Sequence, residues 1–577
     1  MTATTHARAV RSADALRGTL LADAAPRLAA AAHLDGGERL QVIDALATVL
    51  DGVYAHLPAK RAAYATDPVQ ALTLLRRRAG DLSDAEFHLA LTRIVAGLRD
   101  RHTRYTGPTP LHGRVAALPF LVEAYGAGPT FVVSKVTSPT PATSAESAGF
   151  PRVGGESPLS RGEGADSAGR AVGELPGDFR AGAEIVSWNG VPIARAVELH
   201  ADVETGGRPD ARRARALESL TFRALDFGPP PDEWWVVVGY RPVGARGGLG
   251  AVREARFDWR VLAPGRAATA VSDARLARKL AVDPAGEAVR RAKKMQFSTD
   301  LWLADAGDAA TAPMQDAVSA RALDDRTGYL RLWSFDVQDD DAYLDEVSRL
   351  LQGLPQEQVV VDLRGNPGGL VWAAERLLQL FTDGPVLPVR FSLVATPLTR
   401  QLADSPFNRL ELEAWSPSLQ DAVTTGDVYA QPLPVTDPGW CRDRGRVYPG
   451  RAVAVVDATT YSSGDLFAAG WVDNGVGPLV AVGAGPGTHA TGGGGATVWT
   501  YAQLRDASAG TDDPLPALPA GCGLTVAVRR AVRSAAGDGI PLEDLGVAGR
   551  PYTMTKRDLL DGNVDLLRFC AQVLGDE

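Results

Sequence analysis

Three segments place reactive residue types at spacings that could do chemistry. The first is Asp362-Leu363-Arg364-Gly365-Asn366-Pro367-Gly368-Gly369, which follows an apolar run and precedes a helical pattern. Glycines at such a junction let the backbone approach a ligand and turn several amides into one hollow. Amides arranged this way stabilise negative charge, either on a phosphate or on the oxyanion of acyl transfer. A Walker loop needs a Lys-Ser/Thr ending and a dinucleotide fingerprint needs a different glycine spacing; neither is present. A plain turn from strand to helix remains the alternative use of these residues. The second segment, Thr459-Thr460-Tyr461-Ser462-Ser463-Gly464-Asp465-Leu466-Phe467, is again a strand-to-helix junction. A serine placed there is held out by the turn with the amides of its own helix behind it, although Ser/Thr clusters before helices also serve as N-caps. The third is Gly97-Leu98-Arg99-Asp100-Arg101-His102-Thr103-Arg104-Tyr105. Its histidine could take a proton, or could simply cap the end of a helix.

The elements around these segments follow from hydrophobic periodicity. Apolar residues recur at three- and four-residue steps in Leu40-Val42-Ile43-Leu46-Val49-Leu50 and in Phe87-Leu89-Leu91-Ile94-Val95-Leu98, so the region up to Gly97 is predicted helical. Strand-like runs follow at 116–122 and 130–136, then a Ser-, Pro- and Gly-rich stretch, 137–170, that reads as a flexible insertion. Ala183 to Ile193 reads as strand, Asn-Gly turn and strand, with a helix to Val203 and further strands at 234–240 and 255–261. The Ala- and Arg-rich stretch that follows, with Arg290-Arg291-Lys293-Lys294, reads as a connector. From Thr327 the chain alternates. Gly328 to Leu332, Val359 to Leu363 and Ala452 to Val456 are buried-type strands, separated by helices at 343–351, 371–381 and 464–471. Such alternation predicts a parallel or mixed sheet with covered faces. The chain closes with strands near 525–532 and an amphipathic helix from Lys556 to Leu574. The expected divisions are 1–108, 109–265, 266–326, 327–555 and 556–577.

Composition excludes several classes. At 577 residues the chain is too long for one core. With 60 Lys+Arg against 69 Asp+Glu the net charge is −9, which argues against a protein that coats nucleic acid. Cys441, Cys522 and Cys570 lack the close spacings of metal or redox motifs, so free thiols are expected and no cofactor or metal is implied. Residues 1–20 contain Arg8, Arg11 and Arg17 and no apolar stretch, and no later run suits a membrane span. A soluble, cytoplasmic protein is therefore expected.

The order of the motifs is what carries a family resemblance. Leu98-x-Asp-x-His-Thr, Gly328-Tyr329-Leu330-Arg331, the Asp362–Gly369 motif and the serine turn ending in Asp473-Asn474-Gly475 resemble the tail-specific (carboxyl-terminal processing) protease superfamily, over about Gly97 to Arg550. The Tyr461–Phe467 turn and the Ala183–Gly190 strand and turn are similar to those of its branch with tricorn core proteases and the chlamydial protease-like activity factor. The resemblance implies an α/β multidomain fold: a helical N-terminal domain, a PDZ-like β-rich domain and a crotonase-like (ββα superhelix) core. It also implies a serine endopeptidase. Ser-Lys members carry a lysine in a glycine turn after the serine helix. The matching stretch here, Gly483 to Gly492, has none, and offers His489 as a rival base. The other branch uses the histidine of the Asp-x-His motif and a late glutamate, which carries over to Ser462 as nucleophile, His102 as base and Glu543 as support of the histidine. Imidazole takes the hydroxyl proton, and a carboxylate orients the ring. Where tricorn enzymes have a serine beside the histidine, this chain has Arg101. The amides of Ser463 and of Gly368 or Gly369 would form the oxyanion hole. The partner implied is a protein or peptide substrate, with a homodimer as a further possibility; no nucleic acid or membrane is implied. A catalytically silent ligand carrier and a peptide-tailoring acyl-transfer enzyme are the other functions such a core could serve.

Overall fold

Val359, Val360 and Val361 are apolar on both sides of the strand they form, and that strand, Gln358–Asp362, lies inside a six-stranded sheet. The computed structural model describes residues 19–22, 33–108, 111–137, 175–226, 230–244, 247–264, 280–302, 314, 316–408, 411–485, 487 and 489–575. The sheet runs in the order Val318–Ala322, Thr327–Leu332, Gln358–Asp362, Arg451–Asp457, Leu479–Gly483 and Arg550–Thr553. Its first pair is antiparallel and the rest are parallel. Both faces are covered. Val359, Val361, Ala454 and Val456 join the main core with Leu466, Phe467 and Trp471 of the helix Ser463–Asp473. Val360, Val453, Val455 and Val480 pack against Leu566, Cys570 and Val573 of the C-terminal helix Val564–Gly575. Burying each such valine stabilises the fold by roughly 1.5–3 kcal/mol.

This topology brings the two turns together. Gln358–Asp362 and Arg451–Asp457 are parallel neighbours, so the glycine motif and the serine turn leave the sheet at the same, carboxyl end. That edge is where open α/β sheets bind ligands. The histidine segment arrives from elsewhere. Among the described residues the helices Gly36–Gly52, Leu57–Tyr64, Pro68–Arg76 and Asp84–Ala96 precede it, and the first and last of these open with capping boxes at Asp35/Glu38 and Ser83/Glu86. Directly after His102, Arg104–Thr106 joins a second sheet by pairing with Gly523–Val532, which also pairs with Arg390–Leu393 and Ala496–Thr500.

A β-rich unit has its own core. Its sheet runs Arg253–Asp258, Trp235–Arg241, Glu184–Trp188, Thr130–Val136, Phe120–Tyr125. Phe120 packs edge-on to Phe179 and Phe257, with ring centroids 4.8 and 4.7 Å apart. The Asn189-Gly190 turn has φ of 48° and 77°, as a tight hairpin turn requires.

Several elements differ from expectation. The strand expected at 255–261 divides at the buried Trp259: Arg253–Asp258 stays in this sheet, while Arg260–Leu262 pairs with Val115–Ala117 in another. The C-terminal helix is two helices, Lys556–Leu560 and Val564–Gly575, because Gly562 and Asn563 adopt φ of 73° and 63°. The connector holds a strand, Leu280–Val282, and a 19-residue helix, Pro284–Trp302. Its basic cluster is not a solvated face. Arg290 and Arg291 bind Glu287, Lys293 binds Glu218, and Val289, Ala292 and Phe297 are buried against Val115 and Phe222. Of the insertion expected at 137–170, all but the first residue lies outside the described residues. Among the described residues no single helix is long and apolar enough to cross a membrane.

Candidate active site

Asp457, the last residue of its strand, builds the serine turn. Its Oδ1 accepts the amides of Thr459 (3.0 Å) and Thr460 (2.9 Å), and it also accepts the Gly365 amide (3.0 Å) from the glycine motif. Two further bonds staple the turns together: Thr460 Oγ1 donates to the Leu363 carbonyl (3.0 Å) and the Tyr461 amide to the Asn366 carbonyl (2.8 Å). The chain is thereby forced into φ 64°, ψ −120° at Ser462, a left-handed conformation that a non-glycine residue adopts only under such constraint. The helix Ser463–Asp473 starts at the next residue, so its N-terminal amides lie behind the hydroxyl. Asp465 anchors that helix by accepting the Gly493 and Gly494 amides, each at 2.9 Å, and burial raises its carboxyl to about 6.

The glycines beside it cannot be replaced. A Cβ on Gly368 would lie 2.6 Å from Ser462 Cβ and 2.7 Å from the Ser463 amide nitrogen; one on Gly369 would lie 1.9 Å from the Phe335 backbone. Gly368 donates its amide to Asn366 Oδ1 (2.9 Å), and Gly369 stands opposite Ala281 in an antiparallel ladder with Leu280–Val282. The connector strand therefore lies on the glycine strand, next to Ser462.

His102 is fully buried, and its Nε2 lies 2.6 Å from Ser462 Oγ across 360 residues of sequence. Asp100 shapes the loop by accepting the His102 amide (2.8 Å) and the Thr103 hydroxyl (2.7 Å), and its Oδ1 stands 3.7 Å from His102 Nδ1. The Tyr461 ring packs on the imidazole with centroids 4.9 Å apart. Burial pushes the imidazole down to about 4 against the pull of Asp100, leaving it neutral at pH 7. Burial also opposes ionisation of Asp100, but His102, His56 and Lys60 around it outweigh this and hold its carboxyl below the usual range.

Glu543 is brought to the same region by a different route. It accepts the Gly495 amide (3.1 Å), pairs with Lys60 Nζ (2.7 Å) and stands 3.6 Å from His56 Nε2. Burial raises its carboxyl well above the usual range despite Lys60. The carboxylate beside His102 is thus Asp100, while Glu543 lies beyond it with His56; an imidazole nitrogen of His56 and carboxylate oxygens of Asp100 and Glu543 fall within 4.8 Å of one another. Arg101, beside the histidine where tricorn enzymes have a serine, points its Nε to Asp283 Oδ2 (2.6 Å) and so holds the connector. His489, the rival base, lies beside Gly483, and its carbonyl accepts the Gly549 amide (3.2 Å). Cys441, Cys522 and Cys570 are free thiols. Sequence reasoning missed His56 and Lys60. Both lie in a stretch that reads as an ordinary amphipathic helix, and only their burial in the fold marks them.

A strained serine at a strand-to-helix turn, bonded to a buried neutral imidazole beside glycine amides, is the apparatus of a serine-type hydrolase. Residues 326–537 match the model for Peptidase family S41, a segment that includes Ser462 and the glycine strand but stops short of Glu543 and excludes His102. The segment that carries Ser462 and the glycine strand is thus that of a serine-type peptidase, similar to this family over those residues. The fold is shared with solved structures. Mature CPAF is 17% identical, with a TM-score of 0.59, and the match covers 94% of this chain and 98% of that one. Mature CPAF complexed with lactacystin is 14% identical, with a TM-score of 0.58 and coverage of 94% and 99%. A serine-to-alanine mutant of CPAF is 16% identical, with a TM-score of 0.60 and coverage of 94% and 98%. At these identities the likeness shows the fold alone. None of the curated proteins matches the sequence.

Proposed function

We propose that the chain is a serine endopeptidase that works through an acyl-enzyme on Ser462. The observation that carries this is the 2.6 Å contact between His102 Nε2 and Ser462 Oγ, made by residues 360 positions apart. Neutral His102 takes the hydroxyl proton as Oγ attacks the scissile carbonyl, and Asp100, 3.7 Å from Nδ1, stabilises the imidazolium that forms. His102 then gives that proton to the leaving amine, and water takes the place of the amine to release the acid. Glu543 supports the histidine from behind, as the second carboxylate of the His56–Asp100 cluster. The Ser463 amide, at the helix N-terminus, receives the oxyanion; the Gly368 amide is spent on Asn366 Oδ1, so the Gly368–Gly369 strand borders the hole without donating through Gly368. Because Leu280–Val282 pairs with Gly368–Leu370, a substrate strand must share or take over that pairing.

In this reading the six-stranded unit is the crotonase-like core and the β-rich unit a PDZ-like module. Ser462→Ala removes one hydroxyl from a site otherwise intact, and is expected to reduce casein or peptide cleavage by about 10⁴-fold or more. Cleavage that persists undiminished in the folded variant would move the nucleophile elsewhere, with Ser463 first to be tested.

A further inference from the structure

Lys60 lies in the short helix Leu57–Tyr64 and yet is fully buried. A buried ammonium is tolerated where acceptors meet its protons, and here three do. They are the Arg99 carbonyl (3.2 Å), Asp544 Oδ1 (2.6 Å) and Glu543 Oε1 (2.7 Å), with the Tyr64 ring 5.5 Å from Nζ. The acceptors come from two segments more than four hundred residues apart in the chain. Arg99 begins the loop that carries Asp100 and His102, whereas Glu543 and Asp544 form the turn whose amide bonds back to Gly493 (3.0 Å). Both segments bend at the residues Lys60 holds, since Arg99 and Asp544 have φ of 55° and 63°. Left-handed conformations at non-glycine residues persist only where neighbours over-determine them.

We propose that Lys60 is a positioning residue, whose ammonium ties the Asp100–His102 loop to the Glu543–Asp544 turn and thereby fixes the imidazole against Ser462 Oγ. This rests on the Ser462–His102 reading above. A tie of this kind acts on rate rather than on substrate affinity, because a displacement of about 1 Å in a reacting group costs on the order of 10²-fold. It also acts through charge. Asp100 and Asp283 face His102 as anions, Arg104 and Lys60 as cations, with His56 close by across Asp100; Glu543, Asp544 and Asp100 face Lys60. Removing the Lys60 cation leaves the imidazole more basic, so the acid limb of activity moves to higher pH.

The test uses the full chain and a fluorophosphonate as the probe of Ser462, with Lys60→Met, Lys60→Arg, the pair Glu543→Gln/Asp544→Asn, and Lys60→Met added to that pair. The pair removes the carboxylates that Lys60→Met would leave uncompensated, so the comparison survives if the single variant does not fold. Lys60→Met is expected to label about 10²-fold more slowly, with the acid limb raised, and Lys60→Arg to recover much of the rate. Within the neutralised pair, adding Lys60→Met is expected to slow labelling about tenfold or more, since the Arg99 tie is still lost. Equal rates and equal acid limbs with and without Lys60 would overturn the proposal. If the wild type does not label at all, the Ser462 reading fails instead. The tie is then read from the NMR titration of His102, assigned with His102→Ala: an upward shift in Lys60→Met supports it and an unchanged titration overturns it.

Discussion

At the scale of single residues, the site is governed by what burial does to charge. His102 is held neutral by desolvation at about 4, so the base proposed here stays free of its proton below the ordinary histidine range near 6.5. The sign follows from the requirement for a neutral imidazole: activity is present above the folded-state value and lost as pH falls through it. Fluorophosphonate labelling is therefore expected to keep most of its rate at pH 5.5 and to fall between about pH 5 and 4. A fall centred near pH 6.5 would show that the imidazole is solvated in the working enzyme. The two carboxylates can be ranked by place. Asp100 stands beside His102 Nδ1, while Glu543 stands with Lys60 and His56. Asp100→Asn is accordingly expected to slow labelling by roughly 10²–10⁴-fold, and Glu543→Gln by less. The opposite order would make Glu543 the orienting group. Asp100 was visible in the sequence only as part of a motif. Its service to the amide of His102 and the hydroxyl of Thr103 is local, yet its meeting with His56 and Glu543 depends on segments no local pattern connects.

At the scale of elements, the strand-to-helix turns were legible because their residues report local geometry. Gly368 and Gly369 have φ of 93° and 145°, and the apolar run before them forms the buried strand that alternation implied. Gly368→Ala is expected to abolish labelling in a protein that still folds. The new methyl would meet Ser462 Cβ at 2.6 Å and the Ala281 carbonyl at 2.4 Å, and left-handed backbone costs alanine roughly 1–2 kcal/mol. Labelling within threefold of wild type would show that the glycine strand does not border the reacting serine. The connector holds a strand and a long helix that its composition does not announce, for a physical reason. Charge and alanine content suggest solvated chain, whereas Arg290 and Arg291 spend their charge on Glu287, and Val289, Ala292 and Phe297 reach a core formed by residues much earlier in the sequence. Periodicity likewise could not foresee that Gly562 and Asn563 would break the last helix, since each is tolerated singly inside a helical pattern.

At the scale of the whole molecule, the site is an assembly of distant pieces on one sheet edge. Parallel pairing of Gln358–Asp362 with Arg451–Asp457 supplies the glycine strand and the serine, and pairing of Arg104–Thr106 with Gly523–Val532 delivers the histidine loop. The order of motifs made this combination readable, but sheet order and the closing contacts of Lys60 and Arg101 arise only when the chain is folded. The family match runs from residue 326 to residue 537, and His102 reaches Ser462 from outside it. The measurement is intact-mass and peptide mapping of the full chain after reaction with a fluorophosphonate, in wild type and in His102→Ala. A single adduct on Ser462 is expected in wild type, and its loss, by about 10³-fold or more in rate, in the folded His102→Ala protein. An adduct on another residue, or labelling of Ser462 that proceeds equally without His102, would contradict it.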